Sequence, residues 1–180
     1  KKGSPMNEMP RSAWIHSALQ RYEQPLLRYV LRFTREPESA RDVVQDTFLK
    51  LCTADRDKVD GHLAAWLYTV ARNRALTVLK KEGRMETLKE GQAENLPNGK
   101  AGPDAMAERN ETQRLVLNMV STLPDKQQEA CRLKFEDELT YREISQIMGV
   151  SLGTVNNLLT AALDTIRQRL KAGNQLAQEV

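Results

Sequence analysis

The sequence predicts an all-α protein made of two small helical domains joined by a flexible linker, and three observations carry that reading. Apolar residues recur at the i, i+3, i+4 spacing of amphipathic helices along most of the 180 residues. No stretch of useful length alternates apolar and polar side chains as a half-buried strand does. Between Glu86 and Asp104 the periodicity stops, and Gly91, Pro97, Asn98, Gly99, Gly102 and Pro103 supply breakers throughout. That composition suits a tether that lets the flanking domains move.

Each element follows from local pattern. Trp14, Ile15, Ala18, Leu19 and Tyr22 keep helical spacing, and a second helix is expected to begin at Pro25, a residue tolerated in a first turn, carrying Leu26, Tyr29, Val30 and Phe33. Pro37 opens the next, whose stripe of Ala40, Val43, Val44, Phe48, Leu51 and Cys52 is backed by Arg41, Asp42, Gln45, Asp46 and Lys50. Thr53–Gly61, rich in Asp and Lys, reads as a loop. A long helix from about His62 to Glu82 bears Leu63, Trp66, Leu67, Val70 and Val78, and Gly83 ends it. After the linker, Met106, Leu115, Val116, Met119 and Val120 resume the period, and Leu123-Pro124 marks a break before a helix over Asp125–Phe135.

Composition excludes several classes of function. With 40% hydrophobic and 28% charged residues the chain has material for two small cores and too much for a disordered protein. No run approaches the roughly 18 apolar residues of a membrane span and no signal-peptide pattern is present, so a cytoplasmic location is expected. Lys1–Pro5 ahead of Met6 read as a tag remnant. Cys52 and Cys131 each fall in a helical apolar pattern and read as small buried hydrophobes. Neither combines with His16 or His62 in a metal-binding spacing, and no Gly-rich phosphate loop or nucleophile elbow occurs. The chain is therefore expected to be no enzyme and to hold no metal or cofactor.

Charge is uneven. Residues 11–85 hold 14 Lys/Arg against 9 Asp/Glu, whereas residues 107–171 hold 9 of each. The densest basic part is Arg72, Arg74, Lys80, Lys81 and Arg84 within one predicted helix. Taken alone, such a run is either a solvated face or a phosphate-neutralising one.

The strongest local signal spans Thr140 to Leu158. Thr140 and Glu143 form a capping box, Gly149 permits the positive φ of a tight turn, and Ser145 is small enough for two helices to cross closely. Ser151 caps the following helix, whose Val155, Leu158, Leu159, Ala162, Ile166 and Leu170 make the buried stripe. With Ile144, Met148 and Val150 as further apolar positions, this is a helix-turn-helix that presents its second helix to a major groove.

Four stretches in order resemble the extracytoplasmic-function (ECF) group of the sigma-70 family of RNA polymerase sigma factors, across nearly all of residues 14–171. Tyr22-Glu23-Gln24-Pro25-Leu26-Leu27-Arg28-Tyr29 looks like the family's first helix. Ala40 to Leu51 (ARDVVQDTFLKL) resembles region 2.2, Ala65 to Ala75 (AWLYTVARNRA) resembles regions 2.3 and 2.4, and Leu123-Pro124 with the helix-turn-helix resembles region 4. The resemblance implies sigma region 2 over 11–85, a linker over 86–105 and sigma region 4 over 106–172, with tails at 1–10 and 173–180. It implies an alternative sigma factor that binds RNA polymerase core, through the largest subunit's clamp helices and the beta flap, and directs promoter-specific initiation. Asp42, Gln45, Asp46 and Lys50 would then dock on the core. Lys58, Val59, Asp60, Gly61, His62, Arg72, Asn73, Arg74, Lys80, Lys81 and Arg84 would meet the −10 element, a flipped base needing amide or backbone hydrogen bonds and its phosphates needing cations. Lys134, Ser151, Thr154, Asn156, Asn157, Thr160 and Ala161 would face the −35 element, where Asn can read adenine and Thr a thymine methyl. Trp66 is expected in packing; Tyr68 stays open between core and stacking platform.

The resemblance also implies an anti-sigma factor as partner, which could be membrane-bound, and no small-molecule substrate. The sequence departs from the family pattern in three places. Asn-Asn-Leu-Leu-Thr-Ala-Ala follows Gly153-Thr154-Val155 where the family usually places cations, Ser145 stands for Ala, and Thr77 stands for Asp. The first departure keeps a second reading alive, a sigma-like decoy that binds an anti-sigma factor without promoter recognition.

Overall fold

A computed structural model describes residues 9–81 and 118–176, and all regular structure among them is helical. The chain divides into two compact units between Glu86 and Thr87. The stretch expected as a linker, together with Glu82, Gly83, Arg84, Met106, Leu115 and Val116, lies outside the described residues.

The first unit contains α1 (Arg11–Thr34), α2 (Pro37–Thr53), a one-turn α3 (Arg56–Val59), a 3-10 turn (Asp60–His62) and α4 (Leu63–Lys81). α1, α2 and α4 pack on one another. Their shared core holds Trp14, Leu26, Tyr29, Val30, Val43, Leu51, Leu67 and Tyr68, each at most 2% exposed. Tyr29 sits between two rings, edge-on to Phe33 at 5.3 Å and tilted against Tyr68 at 5.1 Å.

Three expectations change here. Pro25 does not begin a helix; it lies inside α1. An interior proline removes one backbone bond and costs about 3 kcal/mol. Burying Leu26, Tyr29 and Val30 just beyond it, at about 1.5–3 kcal/mol each, outweighs that cost. Thr53–Gly61 is no plain loop, because the Asp55 carboxylate accepts the Asp57 N–H at 3.2 Å and starts α3. Cys52 is exposed, not a core residue, because the buried arc of α2 ends at Leu51. Pro37 does open α2 at its first turn.

The second unit contains helical backbone at 118–121, then α5 (Asp125–Phe135), α6 (Tyr141–Met148) and α7 (Leu152–Leu176). The predicted break at Leu123-Pro124 is knitted by Gln128, whose amide donates to Ser121 O at 3.0 Å and Leu123 O at 2.7 Å. Its core holds Leu123, Ala130, Leu133, Ile144, Ile147, Val155, Leu159 and Ala162. Cys131 is buried, and burial pushes its thiol pKa above the ordinary value against a smaller lowering by Arg132. The apolar stripe of α7 fades earlier than expected: Leu158 and Ile166 are half-buried and Leu170 is 41% exposed.

Candidate nucleic-acid and docking surfaces

Two faces of α4 divide its labour. Ala65, Leu67, Tyr68, Ala71, Ala75 and Leu79 are buried against α1 and α2. The opposite side, at helical spacing, carries half-buried Trp66 and exposed Asn73, Thr77 and Lys80, with exposed Lys81 beside them. Tyr68 is thus a core residue, 1% exposed, whereas Trp66, expected in packing, is half-buried. The basic cluster is split. Arg74 turns toward α2 and donates from Nε to Asp46 Oδ2 at 2.9 Å, Arg72 is half-buried on the other flank, and Arg84 lies outside the described residues. Ahead of α4, Lys58 is exposed and pairs with Asp55 at 3.5 Å. Val59 is buried, Asp60 is half-buried, and Gly61 and His62 are exposed.

On α2 the exposed arc brings together Asp42, Gln45 and Lys50, with Asp46 half-buried. Leu49, absent from the expected set, sits in the same arc at 59% exposure. A shallow groove of about 370 Å³ runs along Asp46, Leu49, Lys50, Thr53 and Arg74. The signal was present in the sequence: Leu49 is an apolar residue out of phase with the stripe through Val44, Phe48 and Leu51.

The helix-turn-helix is built from local chemistry. Thr140 Oγ1 accepts from Glu143 N–H at 3.3 Å and the Glu143 carboxylate accepts from Thr140 N–H at 2.8 Å. Gly149 closes α6 at φ 66°. Ser145 does more than save space, since its hydroxyl donates to Val150 O at 2.6 Å across the turn. Ser151 Oγ accepts from Thr154 N–H at 3.1 Å and starts α7. This leaves Ser151, Thr154, Asn156, Asn157, Thr160 and Ala161 exposed on one side of α7. That face carries no cation before Arg167, which pairs with Asp164 at 3.1 Å. Lys134 is half-buried, reaching Leu139 O at 3.3 Å and lying 5.5 Å from the Tyr141 ring centre. Phe135, Tyr141 and Leu152 are large exposed apolar residues that the sequence reading passed over.

Residues 18–85 match the family model for Sigma-70 region 2, and residues 113–166 match that for Sigma-70, region 4. Over 159 residues the chain is 30% identical to the ECF RNA polymerase sigma factor SigM of Bacillus subtilis (strain 168), covering 88% of this chain and 93% of SigM. The chain belongs to the ECF group of the sigma-70 family. It is also 29% identical over 160 residues to the ECF RNA polymerase sigma-E factor of Escherichia coli (strain K12), covering 84% of this chain and 83% of that one.

Among solved structures, the sigma factor RpoE in complex with the anti-sigma factor NepR from Bartonella quintana has the same fold. The TM-score is 0.62 at 24% identity, covering 87% of this chain and 96% of that one.

As an ECF sigma factor, the protein is an alternative sigma factor that directs transcription initiation. Its first unit matches region 2 and its second matches region 4. Among the described residues no helix is long and apolar enough to cross a membrane, and no group of His, Cys, Asp and Glu could hold a metal ion.

Proposed function

We propose that the protein binds RNA polymerase core through the outward arc of α2 and reads promoters through two separate surfaces, one in each unit. Asp42, Gln45, Asp46 and Lys50 dock on the clamp helices of the largest subunit, with Leu49 as an apolar centre among polar neighbours. The 58–62 segment and the outward side of α4 take the −10 element: Asn73 offers an amide to an unstacked base, and Lys58, Lys80 and Lys81 neutralise phosphates. The −35 element lies against Asn156, Asn157, Thr160 and Ala161, with Ser151, Thr154 and Lys134 near the backbone. The chain supplies recognition and duplex opening, and nucleotidyl transfer stays with the polymerase. An anti-sigma factor, soluble or membrane-bound, is the regulatory partner, and the cytoplasm is the site of action.

The observation that carries this reading is the clean separation of α4 into a buried face and an outward face that holds an amide, a hydroxyl and two lysines without an acidic residue. Reconstitution with core polymerase and transcription from a panel of promoters tests it. Core binding with promoter-dependent transcripts is expected; absence of core binding refutes it. The lack of a cation on the α7 face before Arg167 favours one second reading, a decoy that binds an anti-sigma factor only. Core binding without promoter-dependent transcripts would select the decoy.

A further inference from the structure

The segment between α2 and α4 takes its shape from residues far away in sequence. Trp14, 2% exposed, donates its indole N–H to Asp60 Oδ1 at 2.8 Å. The Arg56 guanidinium lies over the same indole, 5.3 Å from the ring centre, and its Nη1 donates to Met9 O at 2.6 Å. Arg11 donates to Cys52 O at 2.8 Å and to Ala54 O at 2.7 Å, satisfying carbonyls that the end of α2 would leave open. The first turn of α1 therefore grips both the end of α2 and the segment that follows it. Val59 anchors the segment from beneath at 4% exposure. With 59 and 60 held inward, 58, 61 and 62 are turned to solvent.

Gly61 adds an independent observation. A Cβ there would meet nothing within 4 Å, and its φ is an ordinary negative one, so neither packing nor backbone geometry in this chain requires glycine. Without a side chain, the exposed backbone at Gly61 is open to close approach by another molecule.

We infer that Trp14 is a positioning residue for promoter recognition: by holding Asp60 it fixes the exposed backbone at Gly61 and the side chains of Lys58 and His62 in the geometry that meets the −10 strand. This rests on the reading of 58–62 as a −10 surface. The physical basis is preorganisation, since a segment ordered in advance loses no conformational freedom on binding. Trp14→Phe keeps the ring in the core and deletes only the N–H, leaving a half-buried carboxylate without that donor.

The test uses holoenzyme reconstituted with the wild-type chain, Trp14→Phe, Gly61→Val and Lys58→Ala, each offered a single-stranded −10 oligonucleotide. Amide hydrogen exchange over 58–62 and affinity for core are read in parallel. Trp14→Phe is expected to weaken strand capture about five- to tenfold and to speed exchange at 58–62, with core affinity unchanged. A merely structural role would move core affinity as well. Wild-type capture or unaltered exchange in Trp14→Phe overturns the inference. Should Trp14→Phe fail to fold, Asp60→Ala removes the same bond from its other end; the same loss with faster exchange is expected, and wild-type behaviour is fatal. If Gly61→Val and Lys58→Ala capture the strand normally, it is the −10 reading of the segment that falls.

Discussion

The two units reach comparable ends by opposite routes. In the first, the recognition surface is cationic and its geometry is set by bonds spanning 41 to 47 positions of sequence, from Arg11, Trp14 and Arg56. In the second, the exposed start of α7 carries no charge and its geometry is set by bonds spanning 3 to 5 positions, at Thr140, Glu143, Ser145 and Ser151. A surface assembled from distant parts is expected to depend on the whole unit's core, whereas one built from caps and a turn depends on the helices it joins. Charge divides the same way: the first unit is suited to salt-sensitive attraction and the second to reading base edges.

The largest effect expected concerns core dependence. Tyr68→Ala should destabilise the first unit by about 3–5 kcal/mol in denaturant unfolding, whereas Trp66→Ala, at a half-buried position, should cost less stability. Equal losses of stability would erase the distinction between the two faces of α4. Next, Asn157→Ala should cost about 1–3 kcal/mol on a matched promoter with the salt slope unchanged, and the Lys80→Ala, Lys81→Ala pair should reduce the slope by about 2 without altering sequence preference. Reversed signatures would mean that the roles of the units are exchanged. Thr140→Ala should cost about 0.5–2 kcal/mol, felt in the melting of the second unit alone.

Smaller still is an alkaline effect. The buried Cys131 thiol has a folded pKa raised above its ordinary 9.0, so its contribution is complete below that value and is lost as pH rises through the folded one. Unfolding at rising pH should show a decline of the second unit beginning near pH 9 that Cys131→Ala removes. The smallest effect belongs to Arg74→Ala, since an ion pair with side chains 42% and 40% exposed contributes at most about 1 kcal/mol to the fold.

The same contrast explains what the sequence disclosed. The capping box, the turn glycine, the Leu123-Pro124 break and the helical ranges in the second unit are written in adjacent residues, and they were readable there. Pro25 misled because local propensity gave way to burial of residues on α1 whose partners lie on other helices. The gripping of 55–62 was illegible for the same reason: its partner Trp14 lies 46 positions from Asp60. Trp66 and Tyr68, two positions apart, could be told apart only once Tyr29 was seen beside one of them. Leu49 was legible in principle, as an apolar residue out of phase.

The bipartite cross-section of α4 also bears on how promoter choice can change. None of the buried residues of α4 belongs to its outward row at 66, 73, 77 and 80. Substitutions confined to the exposed positions of that row fall in the class that shifts stability by about 0.5 kcal/mol or less. Selection, or a combinatorial library, can therefore explore new strand preferences at Asn73, Thr77 and Lys80 while the scaffold stays silent.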